Sequence, residues 1–192
     1  LFPGLPVKGV ELPHVRSSEE VLTLPSDFVL PETAFVFDDV GGNEAFSTAQ
    51  WLVEKGVSVT YATPFPSLAP TVDGWMRVEN ALPYLDKGSF RFLPRIQLEE
   101  ITPTNCVISG TRGEKQEVVP AGLVVLGLSR QPLRELYDAL VGKVSMLKII
   151  GDAKSPRDVQ YAIAEGHMGG RFAEEADRIW TMKPVGQPAL VD

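Results

Sequence analysis

The chain has 192 residues, of which 44% are hydrophobic and 22% are charged, a composition typical of folded globular proteins and unlike that of disordered ones. Its 18 basic and 25 acidic residues leave a net charge of −7, which argues against a broad nucleic-acid-binding surface because such a surface needs an excess of basic residues. The single cysteine, Cys106, excludes an internal disulfide and a cysteine-only metal or iron–sulfur site, and no apolar run approaches the roughly 20 residues of a membrane span.

The N-terminal segment, residues 1–32, is rich in proline and turn residues and predicts a connector. Within it, Ser18–Leu22 predicts one short helix with Ser17 or Ser18 as its N-cap. The segment has no signal-peptide pattern, so we expect a cytoplasmic protein without membrane contact. Because the chain opens on Leu1 rather than on Met, we expect it to be a piece of a longer protein.

The pattern changes at residue 33, where a strand, a helix and a second strand follow one another. The apolar run 34–37 predicts a buried strand. Residues 43–55 carry apolar side chains at helical spacing, and Gly56 then ends that helix. Residues 57–61 predict the next strand. This order predicts a βαβ unit with parallel strands and a right-handed crossover, and therefore a Rossmann-like α/β fold whose parallel sheet is flanked by helices.

The middle of the chain predicts a different arrangement. Residues 72–85 favour a helix that Pro83 interrupts. Short β-type runs separated by Pro, Asn and Gly then predict an antiparallel meander of about three or four strands. The apolar run 123–128 should return to the centre of the parallel sheet, and residues 132–141 predict a helix. The meander runs lie at 90–93, 97–101, 106–109 and 116–119.

The C-terminal third predicts a strand at 146–150 that ends at Gly151 and Asp152. A helix should follow towards residue 173, with Ser155 as N-cap and Pro156 in the first helical position. A strand that ends in Gly-Asp before a helix offers a close backbone approach, an acceptor for sugar hydroxyls and free helical N–H groups for phosphates. The alternative is that Asp152 only caps its own turn.

The turn 38–43 stands where dinucleotide-binding folds hold a pyrophosphate. No register of the G-x-G-x-x-G fingerprint that includes Gly41 or Gly42 matches at more than one glycine. The acidic residue that should follow about 20 residues later is also missing. Asp38 and Asp39 place carboxylates beside the expected phosphate position, where they can bond the N–H groups of the helix and repel an anion. The pattern favours a structural turn capped by its own acids over a nucleotide site.

Two blocks of sequence resemble one known family. The first block covers the first strand and the helix of the predicted βαβ unit, and the second is the Gly-Asp turn with its helix. Together they resemble the trimethylamine dehydrogenase branch of the NADH:flavin oxidoreductases, relatives of old yellow enzyme and of bacterial 2,4-dienoyl-CoA reductase. The matching segments are 35–45 (FVFDDVGGNEA), 49–56 (AQWLVEKG), Arg130 with 136–140 (LYDAL), 150–157 (IGDAKSPR) and 162–167 (AIAEGH).

The resemblance implies a position near the C-terminus of a larger enzyme. Residues 33–129 would form an inserted NAD(P)-type Rossmann-like domain, and residues 130–192 the returning half of an FAD- or ADP-binding domain. An N-terminal barrel with FMN and a 4Fe-4S cluster would lie outside this chain. The family further implies as partners the missing N-terminal domains and an electron-transfer flavoprotein.

The same resemblance implies which residues of this chain would touch a cofactor. FAD or ADP would be held in the longer protein, and the chain alone should bind neither. No catalytic residue and no metal ligand is predicted. The alternative function is a degenerate Rossmann-like scaffold or docking module without bound nucleotide. The predicted cofactor contacts are Gly41, Gly42, Gly151, Asp152 and Ala153.

Overall fold

The computed structural model describes residues 7–72, 77–113, 115–144 and 147–171. The chain divides into two compact units, one that ends at Ser129 (unit 1) and one that begins at Arg130 (unit 2). In unit 1 the strands are β1 Val15–Ser17, β2 Thr33–Asp38, β3 Ser58–Thr63, β4 Phe90–Pro94, β5 Ile96–Ile101, β6 Asn105–Gly110, β7 Glu117–Pro120 and β8 Leu123–Gly127. Its helices are α1 Ser18–Leu22, α2 Asn43–Glu54 and α3 Arg77–Leu85.

Unit 1 is built on a five-stranded sheet in the order β1-β8-β2-β3-β4, in which all neighbouring strands are parallel. All five residues of β8 are buried, as expected for a strand covered on both faces. The predicted α/β, Rossmann-like fold is confirmed. The run 123–128, predicted to return to the centre of the parallel sheet, forms β8, which lies between β1 and the central strand β2. Because the strands are parallel, the carboxyl ends of β2, β3 and β8 meet at one edge.

Strands β5, β6 and β7 form a separate three-stranded antiparallel sheet. Its apolar face, which includes Ile101, Cys106 and Ile108, packs with Phe35 and Leu126 of the parallel sheet in one buried cluster. The meander prediction was wrong for residues 90–93, which belong to β4 and pair in parallel with β3. Alternating apolar residues suit an edge strand of either sheet, and the choice of neighbour is made by tertiary contacts.

The segment predicted as a connector, residues 1–32, supplies part of the first unit. Its strand β1 pairs with β8, and Val21 on α1 is fully buried. The predicted helix Ser18–Leu22 is confirmed, with Ser17 as its N-cap. Ser17 and Glu20 form a reciprocal capping box, since the Ser17 hydroxyl accepts the Glu20 N–H and the Glu20 carboxylate accepts the Ser17 N–H.

Helix α3 carries the interruption that the sequence predicts. Its described part runs from Arg77 to Leu85, and Pro83 lies within its last turn. Residues 73–76, which the predicted helix included, lie outside the described residues. None of the helices in the described ranges is long and apolar enough to cross a bilayer.

Unit 2 contains α4 Glu135–Leu140, a 3₁₀ turn Gly151–Ala153 and α5 Val159–Arg171. The helix predicted at 132–141 is present but shorter. The strand predicted at 146–150 is wrong over residues 147–150, which are irregular, while Met146 lies outside the described residues. A strand needs a hydrogen-bonded neighbour, and the described part of unit 2 supplies none.

Candidate functional site

The turn between β2 and α2 is organised by the side chain of Asp38, the last residue of β2. Asp38 is only 1% exposed. Its Oδ1 accepts hydrogen bonds from the backbone N–H groups of Val40, at 3.0 Å, and of Gly41, at 2.9 Å. The carboxylate therefore points inward and occupies the amide groups with which such a turn could hold an anion.

Two side chains on β3 bond Asp38, one at its carboxylate and one at its backbone carbonyl. The Tyr61 hydroxyl donates a hydrogen bond to Asp38 Oδ2, and the Thr63 hydroxyl donates to the Asp38 carbonyl at 2.7 Å. Burial raises the pKa of Asp38 above its ordinary value, although the hydrogen bonds that its carboxylate accepts from Tyr61, Gly41 and Val40 oppose the rise. Burial likewise raises the pKa of Tyr61. Asp39 beside them has a raised pKa because of its own burial and the negative charge of Asp38.

The outer side of the turn is covered by the loop that follows β3. The carbonyl of Gly41 accepts bonds from the Thr71 hydroxyl at 2.6 Å and from the Thr71 N–H at 2.9 Å. Gly41 has a φ of +70°, and a Cβ there would come within 2.9 Å of Pro70 and 3.1 Å of Phe65. Gly41 is thus required by backbone conformation and by crowding, which accounts for it without a ligand.

Gly42 is the N-cap residue of α2 and has no side chain with which to cap it. The nearest side-chain atoms to a Cβ placed there would be 3.5 Å away on Val40 and 3.8 Å away on Thr71. The predicted cofactor contacts of Gly41 and Gly42 stay predictions.

The second predicted site, Gly151–Ala153, is a single 3₁₀ turn. Gly151 has a φ of +59°, in the region that favours glycine. Its carbonyl accepts the N–H groups of Lys154 at 3.0 Å and Ser155 at 3.1 Å. Asp152 is exposed, so its carboxylate can accept hydrogen bonds from a ligand. The roles of Gly151, Asp152 and Ala153 in binding a cofactor stay predictions.

Glu165 on α5 fixes this turn, and the sequence patterns did not single it out. Its Oε2 accepts the Gly151 N–H at 2.7 Å. Its Oε1 contacts Lys154 Nζ at 3.1 Å and Arg157 Nη2 at 2.5 Å. These hydrogen bonds, of which the one from Arg157 has the largest effect, lower the pKa of Glu165 to about 2. The family resemblance could have pointed to Glu165, because this residue lies in the second matching block, 14 residues after Gly151.

The N-terminus of α5 differs from the prediction. The helix begins at Val159 rather than behind Ser155, and Asp158 Oδ1 accepts the N–H groups of Gln160 at 2.9 Å and Tyr161 at 3.2 Å. The expectation that the helix offers these N–H groups to phosphates is therefore wrong, because Asp158 already bonds them. Both Ser and Asp are good N-caps, and the bonds from Lys154 and Ser155 to Gly151 hold the earlier residues in the turn.

No metal centre is found in the described ranges, where no group of three or more His, Cys, Asp and Glu side chains could hold an ion. Cys106 is buried, and its burial raises the pKa of its thiol to about 12. A thiol that stays protonated is a poor metal ligand.

The comparisons with known proteins find larger redox enzymes. No family model matches the chain. A metal reductase of Desulforamulus reducens is 46% identical over 52 residues, which are 27% of this chain and 8% of that protein.

Solved structures match over a much larger part of the chain. The 6-hydroxypseudooxynicotine amine oxidase HisD of Pseudomonas geniculata N1 matches with a TM-score of 0.75 and 24% identity, over 87% of this chain and 25% of that one. Histamine dehydrogenase of Rhizobium sp. 4-9 matches with a TM-score of 0.73 and 17% identity, over 94% and 28%. A 2-naphthoyl-CoA reductase complex matches with a TM-score of 0.71 and 19% identity, over 86% and 24%.

The chain thus spans about a quarter of each of these three solved chains. At these identities the likeness establishes the fold. The fold of this chain is one that an amine oxidase, a histamine dehydrogenase and a reductase contain as part of a longer polypeptide.

Proposed function

We propose that the chain is the C-terminal nucleotide-binding portion of a flavin-dependent oxidoreductase of the trimethylamine dehydrogenase type. The observation that carries the proposal is the fold match to the amine oxidase and histamine dehydrogenase, which covers 87% and 94% of this chain and about a quarter of theirs. The sequence resemblance, found independently in two blocks, supports the same family. The redox chemistry would lie in an N-terminal barrel with FMN and a 4Fe-4S cluster.

The exposure of unit 2 supports its interpretation as half of a domain. None of its described residues, from 130 to 171, is buried. Large apolar side chains face solvent, among them Leu133 at 79% and Ile163 at 65% exposure. A domain is stable only with a core of its own. We infer that another part of the longer protein covers unit 2 and completes an FAD- or ADP-binding domain.

The residues of unit 2 fit one edge of an adenine nucleotide. Asp152 presents an exposed carboxylate beside the tight Gly151 backbone, a combination that suits the hydroxyls of a ribose or ribityl chain. The start of α5 does not suit phosphates, because Asp158 occupies its N–H groups. Phosphate contacts would therefore come from the other half of the domain.

The β2–α2 turn of unit 1 favours a domain that binds no nicotinamide nucleotide. The buried Asp38 carboxylate fills the turn where a pyrophosphate would bind. We therefore propose that electrons leave the longer protein to a protein acceptor, an electron-transfer flavoprotein. The closed turn also favours a second candidate for unit 1 taken alone, a scaffold or docking module that binds no nucleotide.

The test is to sequence the gene upstream of the Leu1 codon and to purify the protein of the complete reading frame. We expect a barrel domain with a cysteine cluster and a yellow protein that shows flavin absorbance in the visible range. The 192-residue chain should be colourless and inactive. A complete protein without a barrel or without flavin would overturn the proposal, and so would stoichiometric flavin bound to the chain alone.

A further inference from the structure

We propose that Glu165 is the positioning residue of the Gly151–Asp152 turn, and that it makes this turn selective for sugar hydroxyls rather than for phosphate. The inference rests on the proposed function, because it assigns a role within the nucleotide site of unit 2. It goes beyond that function in naming a residue that touches no ligand and sets the shape and charge of the turn.

The two carboxylate oxygens of Glu165 have different partners. Oε2 is bound to the Gly151 N–H, and Oε1 is bound to both Lys154 and Arg157. The side chain is only 12% exposed. One carboxylate on α5 therefore ties together the backbone of the turn and the two cations that follow it.

Glu165 also bonds the backbone of Gly151. Gly151 lies at a φ of +59°, and its N–H would lose its hydrogen bond if the Glu165 carboxylate were removed. Asp152 is the next residue, so the direction of its side chain follows from the conformation of Gly151. A ligand-binding carboxylate has to be held close to its productive geometry, and the bond from Gly151 to Glu165 does this from the neighbouring helix.

Glu165 also pairs with the two cations that follow the turn. Arg157 has its guanidinium 2.5 Å from Glu165 Oε1 and 4.4 Å from the centre of the Tyr161 ring. Lys154 is 3.1 Å from the same oxygen. Both cations are thus paired with an anion, while the carboxylate of Asp152 is exposed. An exposed acceptor beside neutralised cations suits hydroxyl donors and disfavours phosphate.

The test uses the protein of the complete reading frame, in which unit 2 has the covering that the proposed function requires. Hydrogen exchange at Gly151 is followed by mass spectrometry of the peptides that contain this residue. We expect Glu165→Ala to speed exchange at Gly151 about tenfold, the loss of about 1.4 kcal/mol of protection. Glu165→Gln keeps an oxygen that can accept the N–H and should change exchange much less. Equal exchange in the wild type and Glu165→Ala would overturn the positioning role.

The second arm uses the protein of the complete reading frame and measures ADP affinity by calorimetry after removal of bound cofactor. We expect Glu165→Ala to weaken ADP binding about tenfold and Glu165→Gln to rescue most of that loss. The matched control is Asp138→Ala, which removes the 3.7 Å ion pair to Arg134 on α4 without touching the turn, and it should leave affinity unchanged.

The possible results separate the two proposals. If the wild-type complete protein binds neither ADP nor flavin, the proposed function fails and the ligand role of Glu165 fails with it. If the wild type binds ADP and Glu165→Ala binds it as well as Asp138→Ala does, only the inference about Glu165 is overturned. A further experiment measures how strongly inorganic phosphate competes with ADP for the complete protein. If phosphate competed equally in the wild type and in Glu165→Ala, the inference that Glu165 makes the turn disfavour phosphate would be wrong.

Discussion

The hydroxyl of Tyr61 on β3 donates its hydrogen bond to the carboxylate of Asp38, which ends β2, and both side chains are buried beneath the β2–α2 turn. The second oxygen of that carboxylate accepts the N–H groups of Val40 and Gly41. One acid therefore joins two neighbouring strands to the turn. The carboxylate thereby bonds the amide groups with which a turn of this kind could hold an anion.

The first prediction compares two substitutions of Asp38. Asp38→Ala leaves the N–H groups of Val40 and Gly41 and the hydroxyl of Tyr61 without this acceptor, and should lower the free energy of unfolding by about 3 kcal/mol at neutral pH. Asp38→Asn keeps a side-chain oxygen for the two N–H groups and should cost about 1 kcal/mol or less. Urea titration of both variants measures the difference. Equal losses in the two variants would contradict the idea that one side-chain oxygen, bonded to the N–H groups of Val40 and Gly41, organises the turn.

The second prediction is the pH dependence that follows from the raised pKa of Asp38. Burial raises this pKa above the ordinary value of 3.8, so the folded state binds the proton more tightly than the unfolded state. The contribution of the group to stability is complete below the unfolded pKa and is lost as the pH rises through the folded pKa. Between about pH 7 and pH 4, the wild type should therefore gain stability relative to Asp38→Asn. If Asp38→Asn gained stability relative to the wild type over the same pH range, the direction assigned to the pKa shift of Asp38 would be wrong.

The third prediction is that nicotinamide nucleotides do not bind unit 1. On the inner side of the turn the Asp38 carboxylate accepts the Gly41 N–H, and on the outer side the Thr71 hydroxyl donates to the Gly41 carbonyl. Titration of the chain with NADH and with NADPH in a calorimeter should show no binding heat at millimolar nucleotide. A Kd near 10 μM, equivalent to about −7 kcal/mol, would contradict the prediction and restore the turn as a dinucleotide site.

Much of the fold was predictable because its signals are local. The buried strand 34–37, the apolar face of α2 and the turn at Gly56 lie within one contiguous stretch. The capping box of α1 is likewise complete within four residues. Strand β4 was misassigned because its partner, β3, is distant in the sequence. The sequence of a strand carries little information about which other strand it will pair with.

The site was less predictable, because its decisive contacts span the chain. The acidic residues of the turn are visible in the sequence, but the inward direction of Asp38 depends on Tyr61, 23 residues away. The bond from Gly151 to Glu165 spans 14 residues. Ser155 and Asp158 are both good N-cap residues, so the choice between them depends on the Gly151 turn and not on their identity.

The fourth prediction concerns Asp152 in the protein of the complete reading frame. Asp152→Ala removes the exposed carboxylate that would accept sugar hydroxyls, and should weaken retention of the adenine nucleotide by about 1.5–3 kcal/mol. Its effect on thermal stability should be small, because Asp152 is exposed. Ile150→Ala, which the sequence suggests as a core truncation for comparison, does not serve, because Ile150 is 37% exposed.

Asp158→Ala is the better matched control. It removes an acidic side chain six residues further on, whose hydrogen bonds go to the backbone of its own helix. Asp158 caps α5 through the N–H groups of Gln160 and Tyr161, so its loss should lower stability by about 1 kcal/mol and leave nucleotide retention close to that of the wild type. Retention measured after gel filtration and the unfolding midpoint then separate the two roles. If Asp152→Ala behaved as Asp158→Ala does, with reduced stability and full retention, Asp152 would be a structural cap, and the adenine-nucleotide site would have to lie elsewhere.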